Sequence, residues 1–192
     1  MMLRRAAVFA LALLMAACAS NTESTSGVVD IAPGVTLTLP DHPPFGADVN
    51  VVQLGQATYR DRTTAFQAVI ASDANKMTLV MTLPSGPRVM SFTWAAGSLK
   101  TQLEPMAPKD LSAEHMLADI LVMYAPPEFL RREIKGADFV SGADGTRRIV
   151  QSGKDLIVVT RPPNAPSDLW LGQATLENKA FGYRLSIESQ AN

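Results

Sequence analysis

Residues 77–103, MTLVMTLPSGPRVMSFTWAAGSLKTQL, contain three short strand patterns in succession and decide the fold. Apolar and polar side chains alternate through 77–83, and the same period of two recurs through 90–94. A third strand is predicted for 99–103. The connections are short and rich in turn residues, Pro-Ser-Gly-Pro in the first and Ala-Ala-Gly-Ser in the second. Strands joined in this way run in opposite directions, so the stretch predicts an antiparallel meander.

The period changes downstream of this meander. Ser112 is suited to cap a helix N-terminus, and Pro126 ends that helix. Pro127 predicts the first turn of a second, short helix, which Gly136 ends. The helical spacing is carried by a set of apolar residues: Met116, Leu117, Ile120, Leu121 and Tyr124.

Strand patterns resume after the helices and complete the plan. Upstream, the first strand pattern is the weak alternation in 66–70. Two mid-chain helices are too few to connect parallel strands. This order of elements therefore predicts a mainly β (α+β) fold, in which a curved antiparallel sheet has two short helices packed on its apolar face. The later strands are predicted at 147–152, 156–160, 170–178 and 183–189.

The N-terminus has the pattern of a bacterial lipoprotein signal. Arg4 and Arg5 precede an apolar run of 12 residues, which is far short of the roughly 20 that span a bilayer. Small residues then lead to Cys18, and Leu14-Met15-Ala16-Ala17-Cys18 resembles the lipobox. We therefore expect a signal peptide at 1–17 and acylation of Cys18, an ordinary signal with an incidental cysteine being the alternative. Residue 19 is Ala and not Asp, which favours the periplasmic face of the outer membrane.

The segment between Cys18 and the first strand pattern is polar or rich in proline. Residues 19–27 predict a flexible tether, and 33–46 predict an extended lead-in with little regular structure. The expected organisation is thus a signal peptide at 1–17, a lipidated tether and lead-in at 18–45, and a single domain at 46–192.

Charge and cysteine content exclude several classes of partner and chemistry. Without Arg4 and Arg5 the chain has 15 basic and 18 acidic residues, a net charge of about −3, and no basic cluster. Nucleic acid is therefore not an expected partner. Cys18 is the only cysteine, so acylation leaves no thiol for catalysis or for an internal disulfide.

Five short motifs carry a resemblance to a known family. The chain is similar, over roughly 50–190, to an uncharacterised proteobacterial family of outer-membrane lipoproteins, which resembles LolB, the outer-membrane receptor that accepts lipoproteins from the carrier LolA. The motifs are Phe66-Gln67-Ala68, Met77-Thr78-Leu79-Val80, Pro84-Ser85-Gly86-Pro87-Arg88, Met116-Leu117-Ala118-Asp119-Ile120 and the closing 178–185 segment, NKAFGYRL.

The resemblance implies an unclosed antiparallel half-barrel whose helices cover a hydrophobic cavity. It also implies that the cavity takes acyl chains of lipids or lipoproteins, with a periplasmic carrier protein as a further partner. One departure concerns the loop that LolB uses for delivery, which has a leucine at its tip. The matching loop here has Ser85, which is not an apolar wedge, so LolB activity itself is in doubt.

A set of apolar residues predicted to point inward is the candidate lipid site. Methionine is flexible and polarizable, so it suits a pocket for disordered chains, although ordinary core packing is the alternative for each residue. Six methionines follow the signal: Met77, Met81, Met90, Met106, Met116 and Met123. The predicted cavity-lining residues are Phe66, Leu79, Met81, Met90, Phe92, Trp94, Met116 and Ile120.

Polar candidates are few. His42 and His115 lack a second histidine at ligand spacing, so surface positions are expected and a metal site is not. Asp119 is alone within an apolar helix, and it either faces solvent, caps a backbone group or makes a polar contact at the cavity mouth. Arg147 and Arg148 are neighbours in a predicted strand, so their side chains face opposite ways. One of them could reach a lipid headgroup or a buried carboxylate, but we expect both to be exposed to solvent.

The sequence lacks the motifs of nucleophilic, nucleotide-dependent and zinc-dependent enzymes. We therefore expect no cofactor and a non-enzymatic protein, anchored by its N-terminal lipid, that binds acyl chains or apolar lipid-linked cargo. The alternative is a tethered structural or protein-interaction lipoprotein whose interior is filled.

Overall fold

The computed structural model describes residues 20–25, 27–84, 86–109 and 111–192. The predicted signal peptide, Cys18 and Ser85 lie outside the described residues. No helix in the described part of the chain is long and apolar enough to cross a membrane. The elements, in chain order, are β1 (Ser20–Thr25), β2 (Val28–Ala32), β3 (Val35–Thr38), β4 (Val49–Tyr59), β5 (Arg62–Ser72), β6 (Lys76–Thr82), β7 (Arg88–Ala95), β8 (Ser98–Leu103), α1 (Ala113–Tyr124), α2 (Pro127–Glu133), β9 (Ile134–Lys135), β10 (Asp138–Ser141), β11 (Arg147–Gln151), β12 (Lys154–Thr160), β13 (Gly172–Asn178) and β14 (Tyr183–Ala191).

Eleven of these strands form one antiparallel sheet. Their order is β1-β8-β7-β6-β5-β4-β14-β13-β12-β11-β10, and β1 and β10 lie at its two edges without pairing to each other. The sheet is therefore not closed into a barrel, and the predicted fold class, a mainly β fold with an unclosed antiparallel sheet and two helices, is confirmed. The meander predicted from 77–103 is β6, β7 and β8, in which Leu79 lies opposite Phe92 and Trp94 lies opposite Leu99.

Both helices begin where the sequence predicts, and α1 ends before Pro126 as expected, whereas α2 ends at Glu133, before Gly136, because Ile134–Lys135 forms β9. The hydroxyl of Ser112 caps α1 by accepting a hydrogen bond from the backbone N–H of His115 at 3.2 Å. Pro127 occupies the first position of α2. The apolar side of α1, including Leu117 and Leu121 at 0% exposure, joins the hydrophobic core. That core lies between the helices and one face of the large sheet, here called the inner face.

The N-terminal segment is more ordered than its composition suggested. The flexible tether predicted at 19–27 is wrong for Ser20–Thr25, because those residues form β1 and pair with β8. The lead-in predicted at 33–46 to have little regular structure is wrong for Val35–Thr38. β3 pairs with β2 and β9 in a separate three-stranded sheet. Its buried side chains belong to the same core as α1, so this small sheet helps to cover the inner face.

The longest hairpin, β4 and β5, was only partly predicted. The pattern at 66–70 is the C-terminal half of β5, whereas β4 was missed. Gly55 of β4 lies opposite Phe66 of β5. A Cβ at residue 55 would collide with the Phe66 ring, so the ring lies over the glycine. The absence of a side chain at residue 55 therefore fixes the place of this aromatic ring on the inner face.

Candidate functional site

Five of the predicted cavity-lining residues lie together on the inner face. Met81 is opposite Met90 and Leu79 is opposite Phe92, while Trp94 lies two residues further along β7. All five are buried, with Met90 and Trp94 at 0% exposure. The indole N–H of Trp94 donates a hydrogen bond to the carbonyl of Pro40 at 3.1 Å. The strand register therefore brings this part of the predicted set into one apolar surface.

The remaining three lining residues connect this surface to α1 and to the solvent. Ile120 is buried in α1, whereas Met116, one turn earlier, is only half-buried. Phe66 is also half-buried. Both half-buried residues pack against the core, as do several other partly exposed apolar side chains. We call the following set the apolar margin: Phe66, Leu83, Leu103, Met116 and Leu185.

The space above the inner face is occupied by the chain itself. Leu37 of β3 and Leu117 and Leu121 of α1 are fully buried in the same core as the predicted lining residues. Two grooves of about 540 and 470 Å³ lie elsewhere. The first is lined by residues 87–88 and 104–106, and the second lies beside β1, β7 and β8 and includes Phe92 alone of the predicted set. An acyl chain would therefore have to displace α1 or the small sheet.

A polar cluster holds the C-terminal end of α1. The Nη1 of Arg147 donates hydrogen bonds to the carbonyls of Val122 and Ala125, at 3.2 and 2.7 Å. These carbonyls belong to the last turn, which lacks helical partners, so the guanidinium caps the helix. Burial, and next the charge of Arg161, lower the pKa of Arg147 to about 10. The expectation of solvent exposure is wrong for Arg147, which is 6% exposed, whereas Arg148 is exposed.

Tyr124, the last residue of α1, extends the same cluster across the inner face. Its hydroxyl accepts a hydrogen bond from Nε2 of Gln53 at 3.0 Å, and that amide also donates to Ser189. The Tyr124 ring stacks on Trp170 with 4.0 Å between the ring centroids. Burial raises the pKa of Tyr124 above its ordinary value. The helix end is thus tied to β4, β14 and the loop before β13 by groups that are themselves buried.

A second polar cluster holds the middle of α1. The hydroxyl of Tyr183 donates to Oδ1 of Asp119 at 2.7 Å. The Nδ2 of Asn178 contacts the Tyr183 hydroxyl at 3.3 Å and donates to the carbonyl of Ile31 at 3.0 Å. Burial raises the pKa of Asp119 to about 7, although the bond from Tyr183 acts to lower it. Among the three alternatives for Asp119, the structure shows a polar contact, which the carboxyl makes with Tyr183 of β14.

The first turn of α1 is tied to the edge of the large sheet and to the small sheet. Ser24 of β1 donates to Oε1 of Glu114 at 2.7 Å, and a ring nitrogen of His115 lies 3.0 Å from the carbonyl of Asp30. His115 and His42 are exposed, as expected. Together with the two clusters, these bonds fasten α1 at its start, middle and end. Between the fastenings its contacts with the core are apolar.

Sequence patterns missed most of the polar residues that hold α1. Tyr183 and Asn178 were assigned only to strands, and nothing in the alternation marked them as partners of Asp119. The period of two did place Arg147 and Arg148 on opposite faces, and that signal is correct. In the described part of the chain, no group of three or more His, Cys, Asp or Glu side chains is arranged to hold a metal ion.

Comparison with known proteins gives a family but no activity. A family model described as "Protein of unknown function (DUF3261)" matches residues 50–191. The resemblance predicted over 50–190 covers the same region. None of the curated proteins compared with the chain matches it. One solved structure, the crystal structure of a LolA superfamily protein, NE2245, from Nitrosomonas europaea, is similar with a TM-score of 0.45 and 10% identity, covering 78% of this chain and 86% of that chain.

Proposed function

The chain belongs to the DUF3261 family of proteins of unknown function, and from this premise we propose that it is a non-enzymatic lipid-binding protein of the bacterial envelope. An acyl chain, from a lipid or a lipoprotein, binds to the inner face in the place that α1 now occupies. The observation that carries the proposal is the construction of that face. It is an apolar surface with adjacent flexible side chains, Met81 and Met90, beneath a helix that is fastened by hydrogen bonds.

The free energy of this binding depends on an exchange, because an acyl chain replaces the apolar side chains of α1 on the inner face. An acyl chain that buries about ten methylenes gains on the order of 8 kcal/mol before ordering costs. The side chains of α1 that leave the inner face lose burial of the same kind. The two apolar terms offset each other, so the bonds from Arg147, Tyr183 and Ser24 to α1 decide how readily the helix moves. These bonds are few and polar, which suits a helix that opens for a ligand.

The apolar margin is the proposed entry. Its side chains contact the core and also reach the solvent, so a hydrocarbon chain can bind there before α1 moves. Met116 is the member that α1 itself contributes. We therefore expect that Met116 and Phe66 are the first residues that the ligand contacts, and that Leu79, Met81, Met90, Phe92, Trp94 and Ile120 are reached only after the helix is displaced.

The cellular setting completes the proposal. Acylation of Cys18 anchors the protein at the periplasmic face of the outer membrane, and a periplasmic carrier protein delivers or receives the apolar cargo. No catalytic step and no cofactor are involved. The sequence features that support this setting are the apolar run at 6–17, the cysteine that follows it and the alanine at residue 19.

Displacement of a fluorescent fatty acid by palmitate tests the binding. The protein is a chain that starts at residue 19, so that β1 is kept. We expect saturable binding, and a Met116→Glu variant that binds at least about tenfold more weakly, because a carboxylate at the proposed entry opposes an apolar ligand. Val80→Glu is the matched control, since Val80 is 39% exposed on the opposite face of the sheet. An absence of saturable binding, or equal loss in both variants, contradicts the proposal.

A second function is favoured by one observation, the filled inner face. Trp94, Leu117 and Leu121 are all fully buried by other parts of the chain. A tethered interaction module needs no internal cavity, and its loops would contact another envelope protein. Cross-linking in cells separates the two functions. A dominant protein partner with no co-purifying lipid supports the interaction module, whereas apolar material that co-purifies with the protein, identified by mass spectrometry, supports lipid binding.

A further inference from the structure

The place where the folded sheet begins limits how far it can lie from an N-terminal anchor. Ser20 pairs with Leu103, and every residue of β1 has a partner in β8. Only Ala19 separates Ser20 from Cys18. A fully extended chain advances at most about 3.6 Å per residue, so two residues reach at most about 7 Å from Ser20. A lipid on Cys18, as proposed above, would therefore have no long connection to the sheet.

Exposed apolar and basic side chains lie at the same end of the sheet. Leu103 is followed by Glu104-Pro105-Met106, and the Met106 side chain is 55% exposed. It lines the groove of about 540 Å³ together with Pro87 and Pro105. At the side of this groove Arg88 pairs with Glu104 at 2.5 Å, and the Arg88 side chain is 40% exposed. The groove thus joins an apolar surface to a cation beside the start of β1.

A second exposed group lies at the end of β4. Strands β4, β6 and β8 alternate with antiparallel neighbours, so they run in the same direction and end at the same end of the sheet. β4 ends in Tyr59, which is 48% exposed, and the guanidinium of Arg60 lies 5.0 Å from its ring centroid. Tyrosine and arginine are amphipathic residues that suit the boundary between water and hydrocarbon. We call Tyr59, Arg60, Pro87, Pro105 and Met106 the anchor end.

We propose that the anchor end lies against a lipid bilayer, with the Met106 side chain at the boundary between headgroups and acyl chains. The inference rests on the proposed acylation of Cys18 and adds the orientation that follows from it. A lipid on Cys18 that enters the bilayer brings Ser20 and Leu103 to its surface, because one intervening residue allows no greater separation. The apolar groove beside Leu103 then meets lipid and not water.

Fluorescence quenching in vesicles tests the orientation on the complete lipoprotein. Acylation consumes the only cysteine, so Met106→Cys introduces the single free thiol for an environment-sensitive fluorophore. The matched control is Asn75→Cys, in the exposed β5–β6 turn at the opposite end of the sheet. Both proteins are placed in vesicles of phosphatidylethanolamine and phosphatidylglycerol with nitroxide-bearing acyl chains. We expect quenching at residue 106 to exceed that at residue 75 by about threefold or more.

Two further experiments, an insertion before β1 and a concentration series in detergent, separate the possible outcomes. A flexible Gly-Ser segment of about 20 residues, inserted between Ala19 and Ser20, should reduce the quenching at residue 106 to the level at residue 75. Unchanged quenching would overturn the role of the short connection. Equal quenching at both positions in the uninterrupted protein overturns the orientation, as does shielding of residue 106 that rises with protein concentration in detergent, which would assign this surface to a second copy.

The acylation of Cys18, on which the orientation rests, is measured separately. Incorporation of labelled palmitate into the wild-type protein, and its loss in Cys18→Ser, confirm acylation before any vesicle is made. A protein that takes up no palmitate refutes the proposed anchoring, and the orientation falls with it. A protein that takes up palmitate but shows equal quenching at residues 106 and 75 refutes the orientation alone.

Discussion

Replacement of Asp119 by asparagine should remove the part of the pH dependence of stability that this carboxyl contributes. The carboxyl accepts a hydrogen bond from Tyr183 at 2.7 Å, and burial raises its pKa from an ordinary value of 3.8 to about 7. The folded protein therefore holds this proton more tightly than the unfolded chain does. The contribution of Asp119 to the free energy of unfolding is fully present below about pH 4. It decreases as the pH rises toward 7 and stays constant above that. Tyr183 of β14 is the group that contacts the Asp119 carboxyl directly.

The expected size of this pH effect follows from the pKa values of Asp119 in the unfolded and folded states. Between pH 5 and the folded-state value of about 7 the cost is about 1.4 kcal/mol for each pH unit, which gives an upper limit of nearly 3 kcal/mol. Residue 119 as a whole keeps partial exposure to solvent. Screening reduces the effect, so we expect a loss of about 1 to 2 kcal/mol between pH 5 and pH 8.

Urea unfolding at pH 5 and pH 8 measures this difference directly. The amide of Asp119→Asn still accepts the Tyr183 bond but does not titrate, so the variant should lose its share of the pH dependence. Asp61→Asn, at an exposed position in the β4–β5 turn, is the control and should behave as the wild type does. Wild-type stability that is unchanged or greater at pH 8, or an Asp119→Asn variant with the wild-type pH dependence, would refute the reasoning.

Three further predictions concern how the inner face is covered. Arg147→Met should lower the free energy of unfolding by about 2–3 kcal/mol, since two helix carbonyls lose their donor, whereas Arg148→Met should change it by less than about 0.5 kcal/mol in the same urea titration. Gly55→Ala should cost about 1–3 kcal/mol by displacing the Phe66 ring, and a double-mutant cycle with Phe66→Ala should recover most of that cost, so additive losses contradict the packing. Ser112→Ala should cost about 1 kcal/mol by removing the α1 cap, and thermal unfolding without a lowered Tm argues against it.

The fold could be predicted where side-chain alternation and local turn chemistry agree. The alternating residues Met77, Leu79 and Met81 of β6 and Met90, Phe92 and Trp94 of β7 lie on the inner face, and α1 is bounded by Ser112 and Pro126. β4 gave no such signal because Gln53 and Gly55 occupy inner positions whereas Leu54 faces outward at 51% exposure. Burial of Gln53 is compensated by partners from α1 and β14, which are distant in sequence.

β1 was misread for a different reason. Its sequence, SNTEST, has no apolar residue at all, and composition alone favours a flexible segment. It forms a strand because β8 offers an unpaired edge and because an edge strand exposes most of its side chains to water. Local propensity contains no information about an edge that is formed by residues 73 to 83 positions further along the chain.

The candidate site could be predicted only in its apolar half. The strand register explains why Leu79, Met81, Met90 and Phe92 lie together, and that register follows from the sequence. The ties from Arg147 and Tyr183 depend on where α1 crosses the sheet, which is a property of tertiary packing. The same packing decides that Arg147 is buried and that Arg148, its neighbour in the same strand, is not.

The small sheet has a practical consequence for recombinant expression. The family match begins at residue 50, yet Val29, Ile31, Val35, Leu37 and Leu39 belong to the hydrophobic core. A gene truncated to the matched segment would encode a chain that exposes the surfaces of α1 and the inner face against which these five residues pack. Such a product should accumulate in inclusion bodies, whereas one that starts at residue 19 should be recovered from the soluble fraction.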